Sequence, residues 1–293
     1  MNNTWSTAIQ RPGTLYCSRR LRFADSLADR WCAAFAIPAG SAILELGCGP
    51  GALAQSLARW YPNCTVTAID RDSGFLQFAA ETVGSLPNLR FAEADATALP
   101  YADGSFDVTI SNTVQEHVAP DLFFGEQHRV LRPGGVCLVL SSRRGISRTA
   151  PVLAEASPFE REIWQRIEPY ARAADEANAV CAYPMTEQEL PRAMAAHGFG
   201  AVSTDYITVN LTPDSAETDE AAALAMLEAN RQTALDGIDT IPHIAPGVVS
   251  ADELAQLRAE IEAKHDRRLA QYRRGEPQWD AIVNVIMVVR GIR

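Results

Sequence analysis

The sequence predicts an α/β fold built from parallel βαβ units, and three observations carry that prediction. Short apolar runs end in glycine or aspartate, stretches of helical spacing follow them, and the alternation repeats from residue 42 to residue 140. Size and composition agree. A chain of 293 residues, 47% apolar and 21% charged, suits one large domain with an appended cap.

Taken in order, Ala42-Ile-Leu-Glu-Leu46 predicts the first strand, Gly47-Cys-Gly-Pro-Gly51 a tight loop, and the spacing of Leu53, Leu57 and Trp60 a helix over 52–60. Thr65 to Ile69 predicts the second strand, ended by Asp70, and Phe75 to Val83 the next helix. Leu89 to Phe91 opens a third strand before Asp95. Phe106 to Ile110, a helix from Asp121 to Leu131, and Val136 to Leu140 continue the rhythm, with right-handed crossovers. Then it breaks. Ser141 to Thr149 reads as a polar arginine stretch, Pro158 to Ala179 as helix, and Thr186-Glu-Gln-Glu189 as a capping box before a helix near Leu190 that Gly198 stops. Ala201 to Asn210 and Ala281 to Arg290 read as strands. Between them lie helical segments Glu220 to Leu235 and Ala251 to Tyr272, joined by a Pro/Gly connector from Ile241 to Gly247.

The charge balance, 26 basic against 36 acidic residues, leaves a net charge of −10 that repels phosphate backbones and anionic membranes, so nucleic acid and membrane are excluded as partners. Lys264 is the single lysine, so arginine abundance by itself argues little. Six scattered cysteines without a C-x-x-C pair, and no apolar leader, predict a reduced, cytoplasmic setting. The apolar stretch Ile282 to Val289 is interrupted by Asn284 and is too short for a bilayer. No histidine or cysteine spacing suggests a metal.

Gly47, Gly49 and Gly51 between strand and helix mark a place where bare backbone passes close to a ligand. Gly47-x-Gly49-x-x-Ala52 also satisfies a dinucleotide pattern, so the loop alone does not choose its ligand. Asp70, ending the second strand, is placed to accept from both hydroxyls of an adenosine ribose. The competing reading, shared with Asp72, is an N-cap for the helix starting near Ser73. Asp95 ends the third strand, where a carboxylate can accept from an adenine amine.

Together, Glu45-Leu-Gly-Cys-Gly-Pro-Gly51, Ala68-Ile-Asp70, Ala94-Asp-Ala96, Phe106-Asp-Val-Thr-Ile-Ser-Asn112 and Val130-Leu-Arg-Pro-Gly-Gly135 closely resemble the motif series of class I S-adenosylmethionine-dependent methyltransferases. The resemblance is strong over 41–141 and weaker over 201–210 and 281–290. It implies a Rossmann-like, doubly wound, seven-stranded sheet with an antiparallel last strand, S-adenosylmethionine as cofactor, and in-line methyl transfer to a small-molecule acceptor. Residue by residue, it implies that Gly47, Cys48, Gly49 and Gly51 line the methionine and ribose part, Asp70 the ribose, Arg71 the adenine face, and Asp95 with Ala96 the adenine edge. Ser111, Asn112 and Thr113 would lie beside the sulfonium and amino acid, while Glu45 orders the loop from behind. Cys48 is expected to pack rather than attack.

The chain departs from the family in its additions. Residues 1–38 are expected as an N-terminal helical arm, 39–210 as the Rossmann-like domain with a helical insertion at 142–198, 211–278 as a second insertion, and 279–293 as the last strand. Apolar spacing at Leu224, Leu227, Leu254, Leu257 and Ile261 makes 211–278 a lid or a homodimer contact. Glu260, Glu262, Arg267 and Arg268 are expected on an exposed face. Tyr16 and Arg22 of the arm are expected at the cofactor's amino acid end or the acceptor. His117, beside Gln115 and just past the fourth strand, is the candidate base. Arg143, Arg144 and Tyr183 are candidate acceptor contacts, the arginines able to fork onto a carboxylate or phosphate. His128, His197, His243 and His265 are expected to be structural or exposed. Other readings stay open: a cyclase in which the cofactor's own amine displaces methylthioadenosine, as in azetidine-2-carboxylate-forming proteins that resemble methyltransferases; a nicotinamide-dependent oxidoreductase; and a ligand-binding protein without turnover.

Overall fold

The structure, a computed structural model, describes residues 5–143, 145–150 and 156–293. Helices α1 (Pro12–Arg22) and α2 (Ala28–Phe35) precede the sheet. Strands β1 (Ala42–Leu46), β2 (Thr65–Asp70), β3 (Leu89–Glu93), β4 (Phe106–Asn112) and β5 (Leu131–Ser142) then alternate with helices α3 (Ala52–Trp60), α4 (Ser73–Val83) and α5 (Pro120–Val130). The remainder runs β6 (Arg148–Ala150), α6 (Pro158–Ala177), α7 (Glu189–Ala196), β7 (Gly200–Leu211), α8 (Glu220–Ile244), α9 (Ala251–Arg273) and β8 (Ala281–Ile292).

Strand order is β3-β2-β1-β4-β5-β8, with β7 on the outer side of β8. The first five strands pair in parallel, whereas β8 is antiparallel to β5, β6 and β7. The seven-stranded arrangement expected from the sequence is therefore present, with one addition. Since β7 covers β8 from Ile282 to Ile292, the short β6 takes the end of the opposite edge that β5 leaves open.

A parallel sheet must be covered on both faces, and the side chains sort accordingly. In β5, Val136, Leu138 and Leu140 join Trp31 and Phe35 of α2 and Leu53 and Leu57 of α3 in one core. The alternate residues Cys137 and Val139 face Phe123 and Phe124 of α5 and Leu190 and Met194 of α7. The capping box before α7 is formed: the Thr186 N–H donates to Glu189 at 2.8 Å, and the Glu189 N–H donates to the Thr186 hydroxyl at 3.2 Å.

The insertions build a core of their own, in which Ile163 and Ile167 of α6 meet Ile238 and Ile241 of α8 and Leu257 and Ile261 of α9. Leu257 and Ile261, two of the residues that suggested a lid or dimer face, belong to this core, and Leu227 is also buried within the chain. Helix α8 runs past the expected Leu235 to Ile244 because Ile238 and Ile241 are drawn into this cluster. Pro242, inside its last turn, has no N–H to give to the carbonyl of Ile238. Arg268 is not on an exposed face. It is 2% accessible and donates to Asp214 and Asp280 at 2.8 Å each, tying α9 to the start of β8. Asp214 lies 54 residues upstream, a distance that helical spacing does not register. No helix among the described residues is long and apolar enough to cross a membrane.

Candidate functional site

The carboxyl ends of β1, β2, β3 and β4 open on a cavity of about 980 Å³. Its floor starts where β1 ends. Gly47 and Gly49 turn the chain with φ of +63° and +53°, and a Cβ on Gly47 would lie 2.5 Å from a methyl of Val114. Glycine is required at that position on both grounds. Asp70, at the tip of β2, holds the loop: its carboxylate accepts the Gly49 N–H at 2.8 Å and the Asp72 N–H at 2.9 Å. Asp72 caps α4, accepting from the N–H groups of Gly74 and Phe75. The N-cap reading of this acidic pair therefore belongs to Asp72. Asp95, past β3, accepts from the backbone and hydroxyl of Thr97 at 2.8 and 2.7 Å.

Burial governs the charges on this floor. It raises the Asp70 carboxyl, against which the two N–H groups act. Glu45, in β1 behind the loop, is carried well above the usual carboxylate range by burial and then by Asp70, and its Oε2 has no hydrogen-bond partner among the described residues. The Cys48 thiol is also pushed well up by burial, and further by Glu45 and Asp70, so it stays protonated.

The roof comes from the other end of the chain. In a π-helical turn, Trp5–Ile9, the backbone and hydroxyl of Ser6 both donate to Asp72 at 2.8 Å. From α1, Arg19 donates to the Thr113 hydroxyl and Arg22 to the Asn112 amide oxygen, each at 3.2 Å. Burial and the neighbouring Arg19 hold Arg22 well below its ordinary value. Helix α8 grips α1 in turn, through a hydrogen bond from Thr14 to the buried Asp236, which Gln232 also supplies at 2.7 Å.

The third wall is a 3-10 turn, Gln115–His117, bonded to the end of the first insertion. The Gln115 amide donates to the Tyr183 carbonyl at 3.0 Å, the Tyr183 N–H donates to the Glu116 carbonyl at 2.9 Å, and the Cys181 N–H donates to Nδ1 of His117 at 2.9 Å. Trp5 packs edge-on against the His117 ring, with centroids 4.7 Å apart.

Of the residues expected from the sequence, Arg22, Glu45, Gly47, Cys48, Gly49, Asp70, Arg71, Asp95, Ala96, Asn112, Thr113, His117 and Tyr183 line this one cavity. Five others do not. Gly51 packs behind the loop under the Phe91 ring, and Ser111 is fully buried inside β4. Tyr16 turns to the Gln55 amide at 3.0 Å, and Gln115 is buried against Tyr183. Arg143 is 7% accessible, lies outside the cavity lining and donates to the Met185 carbonyl at 2.7 Å at the base of the insertion. Arg144 lies outside the described residues.

The cavity wall also holds Trp5, Arg19, Asp72, Glu116 and Asp175, which sequence reasoning did not place there. Arg19 and Glu116 adjoin expected residues; Trp5 and Asp175 gave no signal, because what brings them in is tertiary. His197 is structural, bonded to Asp121 at 2.9 Å and stacked on Phe124. Among the described residues, no three His, Cys, Asp or Glu side chains converge as a metal site would require.

Residues 44–139 match the model of a methyltransferase domain family. Among curated proteins, the chain is 38% identical over 106 residues to the fatty-acid O-methyltransferase of Mycolicibacterium smegmatis, covering 36% of this chain and 38% of that protein. It is 31% identical over 150 residues to the 2-methyl-6-phytyl-1,4-hydroquinone methyltransferase of Synechocystis, covering 50% and 46%. The chain spans less than half the length of the curated relatives it matches here. Among solved structures, a putative methyltransferase from an antibiotic biosynthesis pathway of Anabaena variabilis superposes with a TM-score of 0.54 at 16% identity, over 92% of this chain and 98% of that one. The YcgJ protein of Bacillus subtilis gives 0.50 at 14% identity over the same shares, which is a likeness of fold.

Proposed function

We propose, from the premise that residues 44–139 form a class I methyltransferase domain, that the chain binds S-adenosylmethionine and passes its methyl group to a small-molecule acceptor, leaving S-adenosylhomocysteine. The observation that carries this reading is the floor: Gly47 and Gly49 at positive φ, beside carboxylates at the ends of two successive strands, Asp70 and Asp95. The residues fit such a ligand. Gly47 and Gly49 carry no side chain where the loop borders the cavity. Each Asp70 oxygen keeps a lone pair beyond its one N–H bond and so can accept a ribose hydroxyl. Asp95 and Ala96 would meet the adenine edge, with Arg71 against its face. Asn112, Thr113 and Arg22 would receive the amino acid end, where Arg22 Nε has no partner among the described residues. The buried carboxyl of Glu45 stands behind the loop.

Bound S-adenosylmethionine would supply a methyl group on a sulfonium leaving group. The chain's part is to orient and to exclude water, which strengthens every fixed dipole around the transferring carbon. On this reading, residues 1–38 and the insertion 142–198 roof the site, 39–210 and 279–293 make the sheet domain, and 211–278 braces the arm. The cavity, about 980 Å³, lies at the large end of small-ligand pockets and leaves room for an acceptor beside the cofactor.

The test is to incubate the purified chain with S-adenosylmethionine, alone and with carboxylate, phenol and amine acceptors, and to identify the nucleoside released. S-adenosylhomocysteine that appears only with an acceptor supports methyl transfer. Methylthioadenosine without an acceptor means the cyclase reaction instead, and tight binding without any product means a ligand-binding protein.

A further inference from the structure

Arg22, at the end of α1, brings a buried positive charge into the cavity wall. It is 6% accessible, its Nη1 donates to the Asn112 amide oxygen at 3.2 Å, and its Nε has no partner among the described residues. The helix end is fixed, since the Trp31 ring N–H donates to the Arg22 carbonyl at 3.0 Å. Glu116, in the turn past β4, lines the same cavity, and its buried Oε2 is likewise without a partner among the described residues. The two are neighbours. Burial and Arg19 hold Arg22 well below its ordinary value, and Glu116 acts in the opposite sense, so its carboxylate stands within electrostatic reach of the guanidinium. Yet the Arg22 Nε–H and the Glu116 Oε2 do not bond to each other.

We propose that Arg22 and Glu116 together read the zwitterionic amino acid end of S-adenosylmethionine, Arg22 taking its carboxylate and Glu116 its ammonium, and so keep that nitrogen out of the reaction. This rests on the methyltransferase reading above. An α-amino acid carries both charges on one carbon, so its receptor needs a cation and an anion side by side that have not neutralised each other. Adenosine alone would call for neither. Arg22 Nε offers an N–H to a carboxylate oxygen, and Glu116 Oε2 can accept an N–H of an ammonium group. One ligand thus supplies a charged partner to each orphaned atom and removes the cost of leaving both buried and unpaired. The turn that carries Glu116 is already held in place by the bonds from the Gln115 amide to the Tyr183 carbonyl and from the Tyr183 N–H to the Glu116 carbonyl.

The consequence separates two chemistries. A cyclase needs the lone pair of that same nitrogen, which forms the new carbon–nitrogen bond as the carbon–sulfur bond breaks. An ammonium group on Glu116 has that pair committed to an N–H bond. The nucleophile then has to come from a second molecule. Methylthioadenosine, which lacks both charges, makes neither contact.

Calorimetry of the full chain with four nucleosides tests this. They are S-adenosylhomocysteine, its analogue lacking the amine, its analogue lacking the carboxylate, and methylthioadenosine. Wild type is expected to bind S-adenosylhomocysteine about ten- to a hundredfold more tightly than either one-charge analogue. E116Q should lose that factor for S-adenosylhomocysteine and for the analogue that keeps the amine, while binding the carboxylate-only analogue at least as tightly as wild type. R22Q, or R22M should R22Q not fold, should show the mirror pattern. The ligand each variant leaves unaffected reports that its site is intact. Equal weakening of every ligand by E116Q marks a structural role and overturns the proposal, as does unchanged affinity of E116Q for S-adenosylhomocysteine. Methylthioadenosine released by wild type from S-adenosylmethionine alone, faster than in a protein-free control, overturns it too. Equal binding of all four nucleosides by wild type defeats this proposal and leaves the methyltransferase reading standing; binding of none defeats that reading and the proposal with it.

Discussion

The floor of the cavity and its roof are made by opposite means. The floor is backbone: glycines at positive φ, and the N–H of Gly49 given to Asp70 across only 21 residues of chain. The roof is a set of side-chain bonds between distant segments, with Ser6 meeting Asp72 across 66 residues, Cys181 meeting His117 across 64, and Thr14 meeting Asp236 across 222. A backbone device has no spare parts, since one added methyl group defeats it. A device of separate side-chain bonds, each contributing about 1 kcal/mol, loses its members one at a time.

The sharpest way to break this contrast is Gly47→Ala. It adds left-handed strain of about 1–3 kcal/mol and a methyl group 2.5 Å from Val114, for a similar amount again. Calorimetry should show S-adenosylhomocysteine binding weakened beyond measurement, with a lower Tm. Adding Val114→Ala should recover the contact part and leave the strain; complete recovery would show that backbone conformation is not what matters there. Next comes Asp70→Ala, expected to reduce nucleoside affinity by about 1.5–3 kcal/mol. Unchanged affinity in a folded variant would remove Asp70 from the ribose.

Changes in the roof should be milder. Thr14→Val leaves Asp236 with Gln232 as its one remaining side-chain donor among the described residues and should cost about 1 kcal/mol. The loss should appear as faster proteolysis of the arm and faster ligand release; if stability fell as far as in Gly47→Ala, the distinction between floor and roof would fail. The smallest effect concerns pH. A carboxyl held above its ordinary value, like Glu45, contributes stability while protonated and loses that contribution as pH rises through its folded value. Glu45→Gln removes the dependence, so its Tm should exceed that of the wild type above neutrality and converge with it in acid. Parallel Tm curves would show that burial of Glu45 does not control its proton.

The same division explains what could be read from the sequence. Strand β1 and helix α3 occupy their expected spans because an apolar run, a glycine loop and a helical stripe are contiguous. Thirteen expected site residues meet in one cavity, most of them delivered by strand ends, with Arg22 coming from α1 and Tyr183 from the first insertion. Contacts with distant partners were not legible. Arg143 looked like an anion receptor until the Met185 carbonyl was seen to occupy it, and β6 lay hidden in a polar stretch because only its pairing with β8 makes it a strand. His117 lines the cavity, and no pattern along the chain connects it to the Cys181 N–H that its Nδ1 accepts.

Trp5, against His117, is the one of the chain's five tryptophans that borders the cavity. Indole emission follows the polarity of its surroundings, so a chain keeping only this tryptophan would change colour and brightness as solvent is displaced or the arm lifts. Entry and departure of an unlabelled nucleoside could then be timed by stopped-flow fluorescence. That would establish whether the residence of the spent compound, rather than the chemical step, sets the pace of the cycle.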